Sequence, residues 1–396
     1  MKKALSLIIS IILALSISAV FVGCETPCEH TWNDGVITTA PSLVDGQKVD
    51  GVKTFTCMQC SATKTESVQY LGFVNATEFV DALAFSNFAN GIVTEETIHN
   101  YTVTATSSVE VMPGMTYEIT VTAVANDMNE KITLTFADGK LCETYEEEGG
   151  LTTTTTVNGV TTETAVTKPA TNTTYYSGNE VGEEFQDTFF SELAGDNFDF
   201  EDFEYDANSN EYSLKQTVET DNGDYTAITL QFENGKITSY NVEIAYDNVQ
   251  IGTTTVDGTT TVSGSVTYGN AQSIVENYHI TVFKPDGTKI NGLTEGWGYN
   301  PTTESETVIT VQYCALDDED NQIACTADVI VLGEDGMIAI DKESVDRFMS
   351  SNGGAKLKFQ INGINTDLYE DDDLYAYIND ENPYSLNFYL ESIPQA

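Results

Sequence analysis

After an apolar opening stretch, polar and apolar positions in the chain alternate. Apolar side chains occupy every second place in Tyr101-Val103-Ala105, in Tyr117-Ile119-Val121-Ala123 and in Ile132-Leu134-Phe136, with threonines and acidic residues between them. A period of two gathers the apolar groups on one face of a strand, which predicts antiparallel sheet buried on one side and wet on the other. Two segments follow the helical period instead. Asn75 with Glu78 three residues on is a capping box, and Phe79, Val80, Leu83, Ala84 and Phe88 then recur at helical spacing up to Gly91, predicting one amphipathic helix. Phe185, Phe189 and Leu193 stand at i, i+4 and i+8 and predict a second helix over 183–193, ended by Gly195.

Turn chemistry joins the strands. Asp138-Gly139, Asn158-Gly159 and Asn234-Gly235 supply positive φ at low cost and mark hairpins, and a further hairpin spans 205–214 around Asn208-Ser209-Asn210. Ile228-Leu230-Phe232 and Val242-Ile244-Tyr246 flank the Asn234-Gly235 turn. Phe136-Ala137-Asp138-Gly139-Lys140 recurs as Phe232-Glu233-Asn234-Gly235-Lys236, and Thr156-Val157-Asn158-Gly159 as Thr255-Val256-Asp257-Gly258. Repeated use of one hairpin chemistry accounts for both matches without a duplicated domain. From Ser273 onward, strands at 278–282, 308–313, 323–331, 356–361, 375–378 and 386–390, with a short helix at 342–349 capped by Asp341, predict a small β-sandwich. The fold class is therefore mainly β with two or three short helices (α+β). The expected divisions are 1–23, 24–70, 71–272 and 273–396.

Composition narrows the function. The 396 residues carry 62 acidic against 16 basic side chains, a formal net charge of -46. Such a chain has no basic surface with which to displace counterions from phosphates, so nucleic acid is excluded as a partner. An apolar fraction of 40% rules out a disordered acidic tail. Met1-Lys2-Lys3 followed by the uncharged run Ala4–Gly23 reads as an export signal, with a retained membrane helix as the alternative. The run ends in Phe21-Val22-Gly23-Cys24, which resembles the signal of bacterial lipoproteins, although Phe21 stands where that signal usually has Leu, Val or Ile. The resemblance implies a leader of 1–23, acylation of Cys24, and a mature chain held on the outer face of the cytoplasmic membrane. At about 0.8 kcal/mol per buried methylene, two acyl chains give stable anchoring. The lipid bilayer would be a partner through that lipid alone, because so acidic a body is repelled by anionic headgroups.

Six cysteines remain beyond Cys24. Cys28 and His30 form a C-x-H pair and Cys57 and Cys60 a C-x-x-C pair, four borderline or soft donors that suit tetrahedral, structural zinc. A redox pair or disulfide is the alternative, and it leaves His30 unexplained. The segment from Cys28-Glu29-His30-Thr31-Trp32 to Cys57-Met58-Gln59-Cys60 and Thr63-Lys64-Thr65-Glu66 resembles a zinc-ribbon-like module of Firmicutes-type surface proteins, in which Ser61 replaces the usual glycine. Cys314 and Cys325, across a polar turn, predict a hairpin disulfide. The acidic runs Asp317-Asp318-Glu319-Asp320 and Glu370-Asp371-Asp372-Asp373 read as solvated loops rather than calcium sites.

Helix, long meander, helix and more meander over 71–272 resemble the curved half-barrel of LolA/LolB-like lipoprotein carriers. That resemblance implies a concave sheet face holding an apolar small molecule or a lipoprotein partner, with Phe79, Phe88, Phe185 and Phe189 on the helix side and Ile132, Leu134, Ile228 and Leu230 on the sheet side. Each of these is also explained as ordinary core. No nucleophile motif or glycine-rich phosphate loop is present, which points to a non-enzymatic chain. The expected function is a lipid-anchored extracellular binding protein. A structural or adhesive surface protein with no cavity is one rival, and a carboxylate-dependent glycan hydrolase is the other.

Overall fold

The structure is a computed structural model. It describes residues 29–389 apart from 187, 196, 208, 222, 270, 284–285, 290–309, 327–329, 332–336, 363–374 and 378–383. The leader, Cys24 and Cys28 lie outside the described residues, as does the acidic run 370–373. The described chain is mostly strand with four short α-helices, and the large sheet is curved and antiparallel without closing into a barrel. The chain divides into two compact units, one of residues 1–79 with 204–212 and one of 80–203 with 213–396.

In the first unit, strands Val36–Thr39, Gly51–Thr56 and Thr63–Val68 form an antiparallel sheet with Gly51–Thr56 central. Asn75 and Glu78 cap the helix Ala76–Ala82: Asn75 Oδ1 accepts from the Glu78 amide at 3.0 Å, and the Glu78 carboxylate accepts from the Val74 amide at 2.9 Å. The predicted helix does not run on to Gly91. It stops at Ala82, Ala84 is extended, and Phe85–Phe88 form a separate 3-10 turn. Seven residues make a marginal helix on their own. The rings of Phe85 and Phe88 decide the local path by packing against Phe136 and Phe185.

The second unit is built on two very long strands, Gly91–Met112 and Met115–Ala137, paired along most of their length. The periodicity around 117–123 and 132–136 predicted two strands in what is one. Its phase changes because a bulge pairs Tyr101 with Ala125 but His99 with Met128. Asp127 sits there at φ +49°, and Asn100 both donates to its carboxylate and accepts from its amide at 3.1 and 2.8 Å. Inward-facing residues are therefore odd-numbered before the bulge and even-numbered after it. Strand Thr254–Tyr268 pairs with Gly91–Met112, followed outward by Lys236–Ile251 and Asp224–Glu233. On its other edge Met115–Ala137 carries Thr152–Val157 beside its first half and Lys140–Glu147 beside its second, with Val160–Val166 and Ala170–Ser177 beyond them.

The turns Asp138-Gly139, Asn158-Gly159 and Asn234-Gly235 all have positive φ at both central residues, as hairpin chemistry requires. Asp257-Gly258 does not follow them. Gly258 lies inside a strand opposite Tyr101, where an added Cβ would meet the Asn100 carbonyl at 2.2 Å, so glycine there serves close approach rather than a turn. The second predicted helix is also divided, into Glu180–Gln186 and Phe189–Leu193. Thr188 separates them in extended conformation, and its hydroxyl donates to the Phe185 carbonyl at 2.7 Å, closing the first helix.

Beyond the long sheet, strand Asn277–Phe283 pairs antiparallel with Met337–Asp341 and parallel with Ser385–Tyr389. Thr310–Leu316 lies between Gln322–Cys325 and Lys356–Asn362 in a second small sheet. One apolar core joins the two sheets and includes Ile280, Val282, Val311, Val345 and Phe359. The helix Lys342–Asn352 begins where expected, with the Asp341 carboxylate accepting from the Ser344 amide at 2.9 Å, and Gly353 ends it at φ +68°.

Candidate functional site

Two features can carry chemistry. The first lies in the amino-terminal unit. The Cys57–Cys60 turn follows strand Gly51–Thr56, with the Cys57 amide donating to the Ala62 carbonyl at 2.7 Å and the Ser61 amide to the Cys57 carbonyl at 3.2 Å. Trp32 bridges to Cys57 and the Met58 amide donates to the Thr31 carbonyl at 2.9 Å, which sets His30 over the turn. Ligand atoms of His30, Cys57 and Cys60 all lie within 4.8 Å of one another. His30 Nδ1 is 3.3 Å from Cys60 Sγ. Tetrahedral zinc with bonds of about 2.0 Å to nitrogen and 2.3 Å to sulfur places two such donors about 3.5 Å apart, so this spacing fits a shared metal. No disulfide joins Cys57 and Cys60.

The electrostatics favour ligation. Burial alone would raise the Cys57 thiol. Amide donors from Gln59 and Cys60, and the His30 and Cys60 side chains, outweigh it and bring the thiol down to about 6. The Cys57 sulfur raises His30 in turn. His30 also stacks on Trp32, with ring centres 5.1 Å apart. The group can hold a metal ion through a nitrogen and two sulfurs. Ser61 adopts φ +57°, in the left-handed region that favours glycine. A side chain in that region costs about 1 kcal/mol. Ser61→Gly is expected to raise the midpoint of chelator-induced unfolding of this unit, and a lower midpoint would contradict the strain.

The second feature lies on the inward face of the long sheet. A cavity of about 140 Å³ opens between that face and helices Glu180–Gln186 and Phe189–Leu193. Ile132, Leu134, Val93 and Phe136 form its floor, and Phe185, Phe189 and Phe190 its roof, with Tyr240 also lining it. Four of the eight predicted ligand-contacting residues, Phe185, Phe189, Ile132 and Leu134, therefore meet around one space. The other four do not line it. Phe79 packs with Phe73 and Tyr212 in the amino-terminal unit, while Phe88, Ile228 and Leu230 are fully buried core.

Three carboxylates, Glu95, Glu143 and Glu184, also line it, and no lysine, arginine or histidine lines it among the described residues. The Tyr240 hydroxyl donates to Glu95 at 2.5 Å and the Tyr176 hydroxyl donates to Glu143 at 3.0 Å. Burial raises the Glu95 carboxyl, with the Tyr240 bond opposing in part. Tyr240 owes its place to Gly264 directly across the strand pair, where an added Cβ would stand 2.0 Å from the ring. These polar members were hidden from sequence reading by the acidity of the whole chain. The available signal was phase, since Glu95 shares the inward face with Val93 and Thr97.

Farther along that face, Glu130 and Glu147 are register partners on adjacent strands. Burial would raise Glu130, but bonds from His99, at 3.1 Å, and from Tyr145 hold it below the usual carboxylate range. Burial and the Glu130 charge raise Glu147. In the carboxy-terminal part, Cys314 and Cys325 are register partners joined as a disulfide, with Cα atoms 4.0 Å apart. In the 317–320 run, the Asp317 carboxylate accepts from the Glu319 and Asn321 amides, the internal bonding of a turn.

No helix among the described residues is long and apolar enough to cross a membrane. No protein-family model matches the chain, and no curated protein matches it.

Proposed function

We propose that the chain is an exported, lipid-anchored, non-catalytic binding protein that holds an apolar group beneath the helices Glu180–Gln186 and Phe189–Leu193. The observation that carries the reading is the cavity, where four residues predicted to make apolar contact converge on one partly open space. An apolar cavity of about 150 Å³ admits benzene, whereas drug-sized ligands need about 300 Å³ or more. The group held is therefore the end of a molecule and not a whole acyl chain, which narrows the carrier function implied by the resemblance to LolA/LolB-like proteins. The resemblance of Phe21-Val22-Gly23-Cys24 to a lipoprotein signal supports the anchor. The donor set supports structural zinc, with Cys28 as the fourth ligand to His30, Cys57 and Cys60, in a closed site that leaves no position for catalytic water.

The anchor is tested by the intact mass of protein extracted from bacterial membranes. Loss of residues 1–23 with diacylglycerol on Cys24, and release of Cys24→Ala from the membrane fraction, are the expected results. An unmodified Cys24 or full retention of the variant would contradict them.

One observation favours a second reading, the glycan hydrolase. Glu130 and Glu147 are cross-strand neighbours pushed in opposite directions, the arrangement that separates a nucleophile from an acid. Glycan turnover abolished by Glu130→Gln would support it, and no turnover across a broad glycan panel would end it.

A further inference from the structure

The lining of the cavity bears on which molecules it can accept. Its walls are aromatic and aliphatic, yet Glu95 and Glu143 enter from the sheet and Glu184 from the helix. A carboxyl at an inward-facing strand position costs stability where a leucine would not. Glu95 holds such a position in line with Val93, and among the described residues the Tyr240 hydroxyl donates to it. Each carboxylate has room for more than one donor, so the bonds from Tyr240 and Tyr176 leave acceptor capacity on Glu95 and Glu143. An anionic head, such as that of a fatty acid, would meet like charge from both the sheet and the helix. A cationic head would meet carboxylates and the faces of Phe185, Phe189 and Tyr240, which attract cations.

We propose that this cavity binds an organic ammonium ion, with a benzene-sized apolar end between Phe189 and Ile132 and its ammonium group donating to Glu95 and Glu143. The inference rests on the binding function proposed above and specifies its ligand class. It brings a pH dependence. Burial raises the Glu95 carboxyl, so its protonated form persists to higher pH than that of an exposed glutamate. A bound ammonium restores the ionised form and releases that proton, so affinity falls as pH falls. The other titratable groups around the cavity are Tyr240 on Lys236–Ile251, which reaches Glu95 across the intervening strand at Gly264, Glu143 on Lys140–Glu147 with Tyr176 bonded to it, and Glu184 from the helix.

Calorimetric titration of the full mature chain at low ionic strength with benzylammonium, toluene and phenylacetate tests this directly. Benzylammonium is expected to bind about tenfold or more tightly than toluene, the worth of one charge-assisted hydrogen bond, with phenylacetate weakest. That preference should shrink at pH 5 and in Glu95→Gln, with Glu143→Gln as the second variant should the first misfold by near-UV circular dichroism. Equal binding of toluene and benzylammonium would overturn the cation proposal while leaving an apolar binding protein, and tightest binding of phenylacetate would overturn it also. Failure of all three to bind would overturn the binding function itself.

Discussion

Cys57→Ser is expected to remove the metal from the purified protein and unfold the amino-terminal sheet in the same step. Among the described residues of 29–68, Cys57, 3% exposed, is the one hydrophobic residue counted in the core, while Val36, Val44 and Val49 are exposed. Three short strands with so little apolar burial have small hydrophobic driving force. Structural zinc contributes an apparent 10 to 16 kcal/mol in comparable small modules, and that binding energy is folding energy. A serine hydroxyl replaces the lowered thiol with a donor that zinc does not favour and leaves the Gln59 amide without its sulfur acceptor, 3.4 Å away in the native turn. Elemental analysis should fall from one zinc per chain to none, and the fluorescence of Trp32, stacked on His30, should shift as in solvent. A strong chelator should reproduce the change in the wild type. Unchanged metal content in the variant would refute ligation by Cys57, and a disulfide from Cys28 would refute the site.

The second large effect is expected at Phe88. This ring is fully buried and has Phe185, Phe190, Phe136 and Tyr268 as ring neighbours, with the Phe190 centre 4.7 Å away. It joins the 3-10 turn to the ends of strands Met115–Ala137 and Thr254–Tyr268 and to both helices over the cavity. Phe88→Ala should cost about 3 to 5 kcal/mol of stability, from lost burial and from a cavity that surrounding rings fill only in part. Phe185 and Phe190 also roof the ligand cavity, so the same change should weaken apolar binding by loosening its walls, with no lining residue itself replaced. Urea denaturation gives the first quantity and toluene titration the second. A loss below about 1 kcal/mol would show that these rings repack freely.

The strand-rich fold class was legible because period-two alternation and Asn-Gly or Asp-Gly turns are local signals. Helix lengths were less so. Thr188 can continue a helical pattern on paper, but in the fold it turns its hydroxyl back on Phe185 and divides the helix. The bulge at Asp127 hid the continuity of a 23-residue strand by reversing the phase that the pattern depends on. At the metal centre, His30, Cys57 and Cys60 were legible because soft donors are rare in this chain and closely spaced. Half of the apolar residues assigned to a ligand proved to be core, since burial against a cavity and burial against another side chain leave the same mark on sequence. Glu95 and Tyr240 were illegible for the reason already given, and because the glycine that admits the tyrosine ring is 24 residues away, at Gly264.

An apolar-binding protein of this kind requires that the space beneath helices Glu180–Gln186 and Phe189–Leu193 admit an apolar group. Crystals of the mature protein exposed to xenon under pressure test it with a heavy atom that needs no hydrogen bond. A single ordered xenon between Ile132, Leu134, Phe185 and Phe189 is the predicted result. An unoccupied position with the Phe189 or Tyr240 ring filling the space would contradict it and leave a structural surface protein as the reading.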